Sequence, residues 1–290
     1  MRSVTAAVVV LLVIAVRSPQ CAAGWTQGEF LSNGKPVQED HCIPAGAGPF
    51  PAVLLLHGAG PRNMSTDQFE DLCAKLADSG YYSEFFEYYS QTEAASPGDA
   101  AGMMRDFPIW LNEVHSGIAA LKKNPAVNSH EIALMGFSLG SYISLSYGAT
   151  YPDDISAIVE YYGGLPPALD ARAATMPPVL IIHGEIDRTV PVSQATDLDA
   201  VLTKAGRPHE MKIYPGAEHG FNFPEAMWWY KPSAANDAWN RSLKFLDVHL
   251  KIRSDKAPPV REGGRPSETG QSLELLSENK VRVRSASIPS

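Results

Sequence analysis

The feature that most constrains this chain is a series of short, unbroken apolar runs closed by glycine or proline. Ala52 to His57 lies between Pro51 and Gly58, and Ile132 to Phe137 and Val179 to His183 repeat the pattern. Ala157 to Tyr161 does so less cleanly. A strand open to water on one face alternates apolar and polar residues; a run without alternation suits a strand covered on both faces. Stretches with helical spacing separate these runs: Thr66 to Asp78, Met104 to Lys123, Leu139 to Tyr147 and Ser193 to Lys204. A last helix is expected from about Ala234 to Leu250, with Trp239, Leu243, Leu246 and Leu250 on one stripe. Strand and helix in alternation predict an α/β fold with a mostly parallel central sheet flanked by helices. Residues 80–90 are the weak point: Tyr81 to Glu87 should be a strand, yet it carries Glu84 and Glu87 where a buried strand would be apolar.

The two ends differ from this body. Arg2 precedes an apolar run from Val4 to Val16, broken only by Thr5, and Cys21-Ala22-Ala23 supplies small residues for cleavage. The expectation is a signal peptide over 1–23 and a secreted or periplasmic protein. No segment reaches the ~20 apolar residues of a membrane-spanning helix. From Lys251 onward, Pro, Gly and Ser dominate, and a disordered tail is expected over 251–290. The catalytic domain is then 24–250. The net charge is −8, and the tail's eight basic and five acidic residues leave the body more acidic still. Such a body has no electrostatic reason to seek nucleic acid. With Cys21 removed, Cys42 and Cys73 remain, either bridged or as two buried thiols. There is no His-Glu-x-x-His, no Cys/His cluster and no Gly-Lys-Ser/Thr phosphate loop, so neither a metal nor a cofactor is expected.

The chemistry collects at strand ends. Gly136-Phe137-Ser138-Leu139-Gly140 follows one predicted strand and opens a helix, the setting in which a sharp turn pushes a serine hydroxyl outward. A serine is a poor nucleophile unless a base takes its proton and a carboxylate orients that base. Asp187 lies in the loop past the strand Val179 to His183. His219 lies in the glycine-flanked loop past the expected strand Glu210 to Tyr214. The order Ser138, Asp187, His219 is that of the α/β-hydrolase triad. For the oxyanion, the amide of Leu139 and that of Ala59, within His57-Gly58-Ala59-Gly60, are the expected donors. His183 reads as a packed residue, Glu185 and Glu218 as solvated neighbours, and Asp170, His209, His115 and His130 lack a strand-end setting.

Several segments together resemble the dienelactone hydrolase family: Pro44 to Val53, His57 to Gly60, Gly136 to Gly140, Tyr161 to Gly164, His183 to Pro191 and Pro215 to Phe221. The resemblance covers nearly all of residues 37–250. It implies an α/β-hydrolase fold, Ser138, Asp187 and His219 as a triad, and Leu139 and Ala59 as oxyanion amides. Founding members use a cysteine nucleophile held by a glutamate near the oxyanion loop, and an arginine four residues past the histidine grips a substrate carboxylate. Here those positions offer Ser138, no carboxylate in His57 to Gly60, and Phe223. A neutral ester is therefore expected in place of dienelactone. The short stretch between Tyr162 and Pro178 leaves no room for a large lid domain. Phe221, Phe223, Met227, Trp228, Trp229 and Tyr230 either line a substrate pocket or cover the sheet edge. Arg62 and Arg188 stand near the expected mouth, as anion contacts or as solvated loop residues. The expectation is a secreted serine ester hydrolase acting on a small or extended ester or lactone through an acyl-enzyme. The alternatives are a serine peptidase of the same superfamily and a binding protein that has lost catalysis. Neither the ester nor the oligomeric state is legible.

Overall fold

The computed structural model describes residues 25–59, 66–90, 92 and 100–251. The expected signal peptide, the tail beyond Lys251 and Arg62 lie outside the described residues.

Eight strands form one sheet: β1 (Thr26–Ser32), β2 (Lys35–Cys42), β3 (Phe50–Leu56), β4 (Tyr82–Phe86), β5 (Val127–Phe137), β6 (Ala157–Tyr161), β7 (Val179–Gly184) and β8 (His209–Tyr214). Their order across the sheet is β1-β2-β4-β3-β5-β6-β7-β8. From β4 to β8 all neighbours run parallel, and β1 and β2 add an antiparallel edge. The helices are α1 (Thr66–Asp78), α2 (Ala100–Leu121), α3 (Leu139–Thr150), α4 (Ser193–Lys204) and α5 (Pro232–Leu246), the last continued by a π-helical turn, Asp247–Lys251.

Side chains alternate across a strand, so each unbroken run feeds two cores. Leu54 and Leu56 join a cluster with Trp110, Val114, Ile143 and Leu198, under α2, α3 and α4. Val53 and Leu55 join another with Phe69, Leu76, Phe245 and Leu246, under α1 and α5. Both faces are covered, which is why the runs do not alternate. Between Tyr162 and Pro178 the chain makes only a 3-10 turn, Pro167–Thr175, and no lid domain is inserted.

The β1–β2 hairpin was not expected as a pair of strands. Its two-residue turn is Asn33-Gly34, with φ of 50° and 75°, the left-handed pair that matches the twist of a hairpin. Residues 80–90 do hold a strand. Glu84 is buried, and burial, reinforced by Glu39, pushes its carboxyl well above the ordinary range. Glu87 falls just past the strand and reaches His57. Cys42 and Cys73 are free, buried thiols. The hydrogen bond between them, together with burial, pushes the Cys73 thiol up.

Candidate active site

The sequence runs β3, then β4 to one side, then β5 to the other, so β3 and β5 are neighbours whose connections leave in opposite directions. In open α/β sheets a crevice opens at such a switch point, past the carboxyl ends of the strands. Ser138 follows β5 there and His57-Gly58-Ala59 follows β3. A Cβ placed on Gly58 would lie 3.3 Å from that of Ser138.

Ser138 has φ 53° and ψ −117°, a region that costs a residue with a Cβ about 1–3 kcal/mol. The surroundings impose it. A side chain at Gly140 would begin 2.1 Å from the carbonyl oxygen of Leu56, and one at Gly136 would begin 2.4 Å from that of Gly140. The two glycines therefore let α3 start hard against β3. The amide of Ser138 donates to the carbonyl of Tyr161 at 2.9 Å. The Ser141 hydroxyl lies 2.7 Å from the Gly136 carbonyl and 2.9 Å from that of Tyr161, and its oxygen accepts the Tyr161 amide at 3.0 Å. Leu139 is the first residue of α3, so its amide has no acceptor within the helix.

The Oγ of Ser138 lies 3.0 Å from Nε2 of His219, and Nδ1 of His219 lies 2.7 Å from Oδ2 of Asp187. The other carboxylate oxygen of Asp187 accepts the amides of Thr189 and Val190, both at 2.8 Å. Burial works to raise the Asp187 carboxyl, but the hydrogen bonds from His219, Val190 and Thr189 outweigh it and hold the group below the usual carboxylate range. Asp187 is thus a buried anion facing the far nitrogen of the imidazole that meets the serine. His183, fully buried, has Nε2 2.9 Å from the Val190 carbonyl and 3.5 Å from Asp187. Burial depresses its pKa, which keeps it neutral beside the carboxylate.

Several supporting residues escaped the sequence reading. Glu185 and Glu218, read as solvated, join the two loops. The carboxylate of Glu185 accepts the Gly216 amide at 2.9 Å, and that of Glu218 accepts the Arg188 amide at 3.2 Å. Arg188 keeps its side chain outward and places Nε 3.3 Å from Glu218. In the turn after β3, the Tyr88 hydroxyl donates to the His57 carbonyl at 2.6 Å and the Tyr89 hydroxyl to the Gly58 carbonyl at 3.2 Å. The His57 ring stacks on Tyr88 at 4.2 Å, with Nε2 2.9 Å from Glu87. Their only sequence signal is a run of polar aromatics where β4 ends.

The residues expected near substrate separate. Phe221 is fully buried, packed against Tyr214 and Tyr162. Trp228 is 88% exposed. Phe223 packs on Phe69 and Phe137. It also lines a cavity of about 280 Å³ shared with Asn222, Tyr230 and Trp239. Ala59 is exposed three residues past β3 and Leu139 is buried at the start of α3. Among the described residues no His/Cys/Asp/Glu cluster fit for a metal ion occurs, and no helix is long and apolar enough to cross a membrane.

A mostly parallel sheet that presents a strained serine turn at its switch point makes this protein an α/β-hydrolase. Within that class the chain belongs to the dienelactone hydrolase family, which matches it over residues 39–250. It is an ester- or lactone-bond hydrolase of that family. A protein of Aquifex aeolicus, named by inference a carboxymethylenebutenolidase, is 26% identical over 229 residues, covering 77% of this chain and 98% of its own. One from Saccharolobus solfataricus, named in the same way, is 32% identical over 233 residues, covering 67% and 88%. Among solved structures, a dienelactone hydrolase from Anabaena variabilis shares the fold with a TM-score of 0.63 at 18% identity, covering 79% of this chain and all of its own. A dienelactone hydrolase-like promiscuous phosphotriesterase from metagenomic libraries does so at 0.67 and 20%, covering 78% and 98%.

Proposed function

We propose that this protein is a secreted serine ester hydrolase that works through an acyl-enzyme, with Ser138, His219 and Asp187 as its triad. The observation that supports this most directly is the unbroken line of contacts from Ser138 Oγ through the imidazole to Asp187, at 3.0 and 2.7 Å. In this reading His219 takes the proton of Ser138 as the hydroxyl attacks the ester carbonyl. The negative charge that develops on the carbonyl oxygen is met by the amides of Leu139 and Ala59. His219 then protonates the departing alcohol, and a water activated by the same imidazole releases the acid. Asp187, kept ionised, fixes the tautomer and stabilises the imidazolium.

A neutral ester suits the site better than an anionic one. The position four residues past His219 is Phe223, packed among Phe69 and Phe137, and it offers no cation. Export follows from residues 1–23, and the mature chain then begins at Gly24. The test is hydrolysis of neutral aryl esters by the exported protein, with Ser138→Ala as control and a fluorophosphonate as probe. Turnover and labelling that vanish together in Ser138→Ala support the reading. Wild-type rates in that variant overturn it.

A further inference from the structure

Glu160, on β6, is fully buried, and its strand neighbours are Gly136 on β5 and Ile181 on β7. One carboxyl oxygen accepts the amide of Gly163 at 2.9 Å, and the other has no hydrogen-bond partner among the described residues. A buried acid with one idle oxygen is costly to keep, and glutamine or an apolar residue would fold more easily. What it holds is the turn Tyr161-Tyr162-Gly163. That turn touches both reacting groups. The Tyr161 carbonyl accepts the Ser138 amide at 2.9 Å. Tyr162, held at φ 44°, sets its ring 4.5 Å from that of His219 and anchors its hydroxyl on Asn222 at 2.8 Å.

We infer that Glu160 is a positioning residue, whose buried carboxyl locks this turn and through it aligns the Ser138 backbone and the His219 ring. The inference rests on the triad reading above. Burial pushes the Glu160 carboxyl up to about 8, against the opposite pull of the Gly163 amide. At neutral pH it is therefore an uncharged acid. The ionisable groups that feel it are Tyr142 on α3 and Tyr162 on the turn, two hydroxyls on which the Asp187 carboxylate also acts. None of these can supply a positive charge, so ionisation would leave an uncompensated anion under the turn.

The experiment compares wild type, Glu160→Ala and Glu160→Gln for kcat and KM on a neutral aryl ester from pH 6 to 9. Glu160→Ala should lose about tenfold in kcat with KM little changed, while Glu160→Gln, which keeps a neutral acceptor for Gly163, should restore kcat at pH 7. Wild-type kcat should decline above pH 8 where that of Glu160→Gln does not. A folded Glu160→Ala with wild-type kcat, or superimposed pH profiles for wild type and Glu160→Gln, overturns the inference. Should Glu160→Ala not fold, the two profiles decide. Wild-type protein that neither turns over ester nor takes the fluorophosphonate label overturns the triad reading instead, so the two failures are distinct.

Discussion

The amide of Arg188, one residue past Asp187, donates to the carboxylate of Glu218, one residue before His219, at 3.2 Å. Ile186 and Ala217 bond beside it at 3.1 Å, and Glu185 reaches back to Gly216. The loops carrying Asp187 and His219 are thus tied to each other in both directions. Glu218→Ala leaves the Arg188 amide and guanidinium without this partner and loosens that tie. A fall of about three- to tenfold in kcat is expected, along with a melting point lower by a few degrees. Steady-state kinetics and calorimetry check both, and an unchanged kcat would mean the loops hold their spacing without the tie.

Strain at Ser138, the proposed nucleophile, predicts an opposition between activity and stability. Ser138 sits at φ 53° because α3 must start against β3. Ser138→Gly removes the Cβ that makes this conformation costly and should raise stability by about 1 kcal/mol while abolishing turnover. Ser138→Ala, which keeps the Cβ, should lose turnover without that gain. Equal denaturation midpoints for the two variants would remove strain from the account.

Asp187 is held below its ordinary range. The unfolded chain binds its proton near pH 3.9, the folded protein only at lower pH. The stabilisation it contributes is therefore complete above about pH 4 and fades as pH falls through the folded value. Asp187→Asn should cut kcat by about three to four orders of magnitude. Its stability deficit relative to wild type should shrink on acidification, and denaturant melts at pH 7 and pH 3 test the sign.

Glu84 runs the other way. Its raised pKa means that the folded protein keeps a proton which the unfolded chain releases above about pH 4.3. Stability contributed by this site therefore falls as pH rises. Glu84→Gln should melt higher than wild type at pH 8, and the difference should vanish near pH 4. A constant difference across that range would assign the effect to packing.

The thiols of Cys42 and Cys73 are buried, and that of Cys73 is held in its protonated form. Neither should react with an aromatic disulfide reagent in the native protein, and both should react once it is unfolded. Release of chromophore before denaturant is added would contradict their burial.

The fold was largely legible because the buried strands announce themselves as unbroken runs. β6, α1 and α4 have the bounds their sequence predicts, and β5 differs only by starting at Val127, five residues before its apolar stretch. Ser138, Asp187 and His219 were readable because each follows a strand, and the structure sets them within hydrogen-bond distance. What escaped was of two kinds. The β1–β2 hairpin carried its signal in Asn33-Gly34, but its strands are half exposed and lack a long apolar run. Glu160, Glu218, Tyr88 and Tyr89 escaped for a different reason. Their roles depend on partners distant in sequence, and no local pattern distinguishes a glutamate that neutralises itself in a core from one that faces water.

The adjacency of β3 and β5, bonded through six paired positions from Phe50↔Val127 to Leu56↔Gly136, has a consequence for how such an enzyme can diversify. The gap between Ser138 and the turn at Gly58 opposite is fixed by the spacing of a β-ladder, independent of how long any connection is. Connections beyond Tyr89 and beyond His219 can be rewritten, and with them the choice of substrate, while this spacing is inherited unaltered.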